Sequence, residues 1–242
     1  MTERFDDAML DKFAHNFYGY GNYNGRYWFI GMEEGGGDSF AEVSQRLHAW
    51  ADRGKRELED VAEYHAAIGM TYLFGERPTL QRTWAKLIRI LLSQDGAVPT
   101  TEQVREYQRT ALGRPEGDTC LVELLPLPSP STSHWLYAVH SQLAYLASRE
   151  LYKQAFLAPR MAHLKRRIDE YKPSAVIFYS LGYRNYWREI ARGDFSLESD
   201  GIYTSRGESS LFVMTRHPAA KGVTSEYFHH VGRLISTHVT RQ

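Results

Sequence analysis

The spacing of apolar positions along this chain changes several times, and each change marks an element. Residues 4–17 carry apolar side chains at helical spacing and predict a helix. Residues 26–32, RYWFIGM, hold a short aromatic and apolar run that stops at Gly31, the pattern of a buried strand. Residues 40–66 are polar, charged and helical in pattern. Residues 77–94 predict a stronger helix, with Thr79 as its cap and Leu80, Trp84, Leu87, Ile88 and Leu91 on one stripe. A short helix is expected over 101–112. Residues 119–125, TCLVELL, read as a second strand, and the following PLPSPSTSHW is too proline-rich for regular structure. Helices are expected over 134–148 and 150–171. SAVIFYSLG (174–182) reads as a third strand closed by glycine, with a helix over 183–191 behind it. Residues 201–206 predict a short edge strand, and 209–218 a fourth main strand ending in His-Pro. A last helix is expected over 223–238.

Short apolar runs separated by helices predict an α/β fold: three layers, α/β/α, around a mostly parallel central sheet of four strands. No linker or internal repeat interrupts the 242 residues, so one domain over 1–242 is expected. In such sheets ligands bind at the carboxyl ends of the strands. The stretches to search are therefore 31–37, 123–133, 181–184 and 216–222, which combine glycine or proline with polar groups.

Composition narrows the classes. At 43% hydrophobic and 13% aromatic the chain can bury a sizeable core. It has no long apolar span, and its first residues, MTERFDDAML, lack a signal peptide's apolar stretch, so a cytoplasmic protein without membrane contact is expected. The single cysteine, Cys120, excludes an intrachain disulfide framework and any cluster held by several thiolates. The 29 basic and 29 acidic residues cancel in total but not locally. Residues 1–120 carry a net charge of −5 and residues 121–242 of +5. The second half can offer a basic face to a polyanion, although a run such as RMAHLKRRIDEYK also fits an ordinary solvated helix.

Two strand ends carry the chemistry. At the first, GMEEGGG, Gly31 permits a sharp turn and close approach to a ligand. Glu33 and Glu34 are suited to position water, accept a proton or hold a metal; they equally suit the cap of a helix. The stretch lacks the spacing of a dinucleotide fingerprint or a phosphate loop, and acids there would repel phosphate. At the fourth, MTRHPAAKGV, His217 leaves the strand in a backbone restricted by Pro218. It can donate to a developing anion, or be satisfied by local backbone. No H-x-x-x-H or comparable ligand spacing accompanies the acids, so neither metal nor cofactor is expected.

Taken in order, GMEEG (31–35), LVELLPLPSPS, AVIFYSLGYRNYW and HPAAKG (217–222) resemble the uracil-DNA glycosylase superfamily over about residues 26–238. That family has a first-strand motif G-x-(D/N/A)-P-(Y/G) and a late H-P-(S/A)-x-x-(S/G). The resemblance implies its fold and hydrolysis of a base–sugar bond in DNA without cofactor or obligate protein partner. It places Glu33 where the family positions water and His217 where it steadies the departing base. Gly31, Met32, Glu34, Gly35, Gly36, Glu123 and Phe40 would line the substrate. Ser129, Ser131, Ser133, Arg184, Arg216 and Lys221 would contact DNA. Phe40, Tyr72, Phe74, Trp135 and Tyr183 stand near candidate loops as stacking partners for a flipped base.

There are departures. Glu34 replaces the motif's proline, and CLVELLPL has no asparagine to read uracil, leaving Glu123 as the nearest polar group. One cysteine excludes the iron–sulfur cluster of several branches. Gly35 stands where the uracil-specific branch has a blocking tyrosine, and with Gly36 and Gly37 it implies a pocket for a pyrimidine with a large 5-substituent. The chain looks closest to members that attack modified phage DNA, such as DNA with glucosylated hydroxymethylcytosine, which implies an antiphage role. The alternatives are a repair glycosylase for uracil or mismatched thymine, a non-catalytic DNA-binding relative, and, behind these, a metal-dependent hydrolase.

Overall fold

The computed structural model describes residues 3–239. In chain order its elements are α1 (Asp7–Asn16), β1 (Gly19–Gly21), β2 (Tyr27–Glu33), α2 (Phe40–Asp52), β3 (Leu58–Glu59), α3 (Val61–Ala67), α4 (Arg82–Leu92), α5 (Thr101–Thr110), β4 (Thr119–Leu125), α6 (Tyr137–His140), α7 (Arg149–Tyr171), β5 (Ala175–Tyr179), α8 (Arg184–Ala191), β6 (Ser196–Ser199), β7 (Ile202–Arg206), β8 (Leu211–Thr215) and α9 (Ser225–Val239). The sheet order is β3-β1-β4-β2-β5-β8-β7-β6. Its centre, β4-β2-β5-β8, is made of the four main strands read from the sequence, all parallel. β2, β5 and β8 are buried along nearly their whole length, so both faces of the sheet are covered. α7 packs on β4 and α8, and α9 on β8 and α4.

The four-stranded sheet of the sequence reading is therefore corrected to eight mixed strands. β1 runs antiparallel to β4 and parallel to β3; β7 runs antiparallel to both β8 and β6. β7 is the short strand expected over 201–206, but it lies between β8 and β6 and not at the edge; β1, β3 and β6 have two to four residues and carry little periodicity. The β6–β7 hairpin turns at Asp200-Gly201, both with positive φ (25° and 76°), which suits a tight hairpin.

Other boundaries shift for local reasons. The expected helix over 40–66 breaks at Gly54 and Lys55, both left-handed (φ 93° and 58°), and resumes as α3 behind an Asp60 cap. α4 begins at Arg82, capped by Gln81 and not by Thr79. Thr79 lies in a loop clasped by the fully buried Gln108, whose amide donates to the Leu73 and Thr79 carbonyls. The helix expected over 134–148 shrinks to α6 and one 3-10 turn, Ala144–Leu146. No helix among the described residues is long and apolar enough to cross a membrane.

Candidate active site

Parallel register brings the strand ends together. Gly31 on β2 pairs with Glu123 on β4, Glu33 with Leu125, and Tyr179 on β5 with Thr215 on β8. His217 follows β8 directly. Side chains alternate along a strand, so position 31 and Glu33 share one face, about 7 Å apart, while Met32 and Glu34 take the other. Met32 is buried.

Gly31 does not turn the chain, as its sequence suggested; β2 runs on through Glu33. Its role is close approach. A Cβ at position 31 would stand 2.2 Å from Glu123 Oε2 and 2.3 Å from the Tyr179 hydroxyl. The two flanking strands meet over this gap, where the Tyr179 hydroxyl donates to Glu123 Oε1. Glu123 Oε2 is buried without a partner. Burial above all raises the Glu123 carboxyl from its ordinary 4.5 to about 8; the Tyr179 bond lowers it in part, and the charges of Glu34 and Glu33 raise it further. Near neutral pH Glu123 is thus an uncharged acid. Because Oε1 accepts from Tyr179, the proton belongs on Oε2, where it can be donated to a ligand. Behind β4, the buried Arg160 donates to the carbonyls of Glu123 (2.9 Å) and Leu124 (2.7 Å) and fixes the strand end.

Glu33 is held by a residue that sequence reasoning missed. Arg149, the first residue of α7 after its Ser148 cap, donates through Nη1 to both Glu33 oxygens. The pair is nearly buried, with side-chain exposures of 6% and 13%. Arg149 Nη2 donates to Ser129 Oγ (2.5 Å) and to the carbonyls of Ser131 (2.9 Å) and His134 (3.1 Å). The guanidinium also lies over the Trp135 ring, 4.9 Å from its centroid. One signal could have pointed to it. A cation in the first turn of a helix opposes the macrodipole, so an arginine there calls for another partner.

Glu34 is tied up beside the site, and its charge still adds to burial in raising the Glu123 carboxyl. It accepts from the Tyr20 hydroxyl at 2.5 Å and pairs with Arg46 at 3.2 Å; Arg46 also binds Glu42. Glu34 thus ties α2 to β1. The three glycines also divide. Gly36 and Gly37 have positive φ (95° and 75°), and a Cβ on either would meet Arg46 or the Pro128 carbonyl at 2.5 Å, so they shape the loop and do not enlarge a pocket. Gly35 is exposed, with nothing within 4 Å of a Cβ.

His217 Nδ1 accepts from the Ala219 N–H at 3.1 Å. In the neutral ring this leaves the proton on Nε2, free to donate. Burial lowers the His217 pKa and favours that neutral form. Its ring lies 6.0 Å from that of Tyr179.

The stacking candidates separate clearly. Phe40 stacks on Phe5 at 4.7 Å, Phe74 packs against Trp84 and His65, and Trp135 is covered by Arg149 and Tyr137. Tyr72 is 56% exposed on its 3-10 turn, Thr71–Leu73. Tyr183, half-buried at the head of α8, lies 6.4 Å from the Tyr186 ring and 6.3 Å from that of Trp187, and after burial the Glu33 charge raises its phenol pKa and Arg149 lowers it. Of the expected DNA contacts, Ser129 is occupied within its loop, donating to the Ser131 and His134 carbonyls at 2.9 Å. Ser131 and Ser133 are exposed and bonded to each other; Arg184 and Lys221 are exposed; Arg216 pairs with Asp200 at 2.6 Å.

No protein-family model matches the chain, and no curated protein matches it in sequence. Among the described residues no three His, Cys, Asp or Glu side chains gather as a metal site would require. The assembled groups are a carboxylate with a fixed counterion, an uncharged acid, an imidazole N–H donor and a half-buried tyrosine. This set can stabilise a cation, orient water and donate to an anion.

Proposed function

We propose that this chain is a monofunctional DNA glycosylase of the uracil-DNA glycosylase type, acting on a pyrimidine with a bulky 5-substituent. One observation carries the proposal. The GMEEG and HPAAKG motifs, far apart in sequence, lie on one edge of a parallel β4-β2-β5-β8 core, with Glu33 and Glu123 on adjacent strands and His217 beyond β8, separated from β2 by β5.

The target nucleotide leaves the stack and docks at the strand ends, with Tyr183 as its stacking partner. As the bond from the sugar C1′ to the base nitrogen breaks, its electron pair goes to the base and positive charge develops on the sugar. Glu33 stabilises that charge and orients a water, whose oxygen bonds to C1′ and whose proton is released. His217 Nε2–H donates to the base oxygen on which negative charge gathers, and the base departs after taking up a proton. The open space at Gly35 accommodates the 5-substituent. Ser131, Ser133, Arg184 and Lys221 present exposed polar and basic groups for phosphates without reading sequence. Glucosylated hydroxymethylcytosine in phage DNA fits this class of substrate, and an antiphage role in the cytoplasm follows from it.

The test is a panel of duplexes with cytosine, uracil, a thymine mismatch, hydroxymethylcytosine or its glucosylated form, treated with alkali after incubation. Strand breaks confined to the bulky bases are expected. Breaks at uracil or mismatched thymine alone would reassign the protein to repair. Tight DNA binding with no breaks on any duplex would make it a binding protein.

A further inference from the structure

The Glu33–Arg149 pair is expensive to bury. Taking two charges out of water often costs more than their attraction returns, so such a pair is weak evidence for stability alone. Arg149 also opposes the dipole of α7. Its position suits another task. One planar fork serves two clients, with Nη1 on the Glu33 carboxylate and Nη2 on the 129–134 loop. Glu33 ends a strand on a flexible side chain; one nitrogen of the planar guanidinium bridges both its oxygens while the other is tied to the loop, so one rigid plane holds the carboxylate and the loop together. The loop that Arg149 grips is the proline-rich segment offered to DNA, and Trp135 stacks beneath the guanidinium.

On the glycosylase reading, we infer that Arg149 is a positioning residue that couples the seating of the 129–134 loop to the alignment of the Glu33 carboxylate. A loop displaced from its bound position pulls Nη2 and so misaims Glu33; a loop seated on the DNA backbone holds the carboxylate in place. Misplacement of a reacting group by about 1 Å costs roughly 100-fold in rate.

The experiment compares wild type, Arg149→Lys, Ser129→Ala and the double variant. It measures single-turnover base excision at saturating DNA, DNA affinity, and hydrogen exchange of residues 129–135 with and without Glu33→Gln. Arg149→Lys keeps the charge and loses the fork; its excision rate should fall about 100-fold with affinity nearly unchanged. Ser129→Ala should lower the rate less, and adding it to Arg149→Lys should lower it no further, since both act through one connection. Glu33→Gln should loosen the loop and speed its exchange. If Arg149→Lys excises at the wild-type rate, or loses only affinity, Arg149 merely anchors the loop and the inference fails. A wild type inactive on every duplex defeats the glycosylase reading instead. The exchange arm then still tests the connection: a loop indifferent to Glu33→Gln would show that none exists.

Discussion

At the scale of single residues, the site turns on contacts that only the folded chain brings together. Glu33 and His217 were legible because short motifs mark them. Glu123 was legible as the polar residue of an apolar strand, but its state was not. That state comes first from burial, which raises its carboxyl, while Tyr179, 56 residues away, bonds to it across the missing side chain at Gly31 and lowers it in part. Arg149 was illegible because it lies in a helix whose charged residues look like solvated surface. Glu123 carries a prediction with a definite sign. Its carboxyl is raised from 4.5 to about 8 in the folded protein, so the native state keeps a proton that the unfolded chain gives up. Stability is therefore greatest below pH 4.5 as far as this group is concerned, and is lost as the pH rises toward 8. The full difference is on the order of 5 kcal/mol. Glu123→Gln removes this dependence: between pH 5 and 8.5 its melting temperature should gain steadily on that of wild type. Parallel melting curves across that range would show Glu123 to be ionised in the fold.

At the scale of elements, long apolar runs were read well and short ones were not. The four central strands bury both faces and appear in the sequence as continuous runs. β1, β3 and β6 have two to four residues, too few to show alternation, and depend on neighbours already in place. Helix 134–148 failed because propensity gave way to packing: Tyr137, 1% exposed, donates to the Pro128 carbonyl and holds this segment against the proline-rich loop. The GGG loop gives the prediction at this scale. Gly36 and Gly37 are fixed by backbone geometry, whereas Gly35 has open space around its missing Cβ. Gly35→Tyr should fold with a normal cooperative melt, stop excision of bulky 5-substituted pyrimidines and spare any activity on plain ones. Gly35→Ala should behave as wild type. A folded Gly35→Tyr that still removes the bulky base at full rate would show that the gate lies elsewhere.

At the scale of the whole molecule, the parallel core accounts for how residues from the acidic first half and the basic second half share one site. The first half brings Glu33 on β2; the second brings Glu123 on β4, Tyr179 on β5, His217 after β8 and Arg149 on α7. Arginine counterions sit against both Glu33 and Glu34 and offset their charges. The central claim is that Glu33 performs hydrolysis of a base–sugar bond. The most direct measurement is chromatographic detection of free base released from a duplex with glucosylated hydroxymethylcytosine, in single turnover, by wild type and by Glu33→Gln at equal DNA occupancy. The account predicts release of the intact modified base by wild type and a rate lower by roughly 100- to 1,000-fold in Glu33→Gln, as when one electrostatic contact to a transition state is lost. Equal release by the two proteins would contradict it.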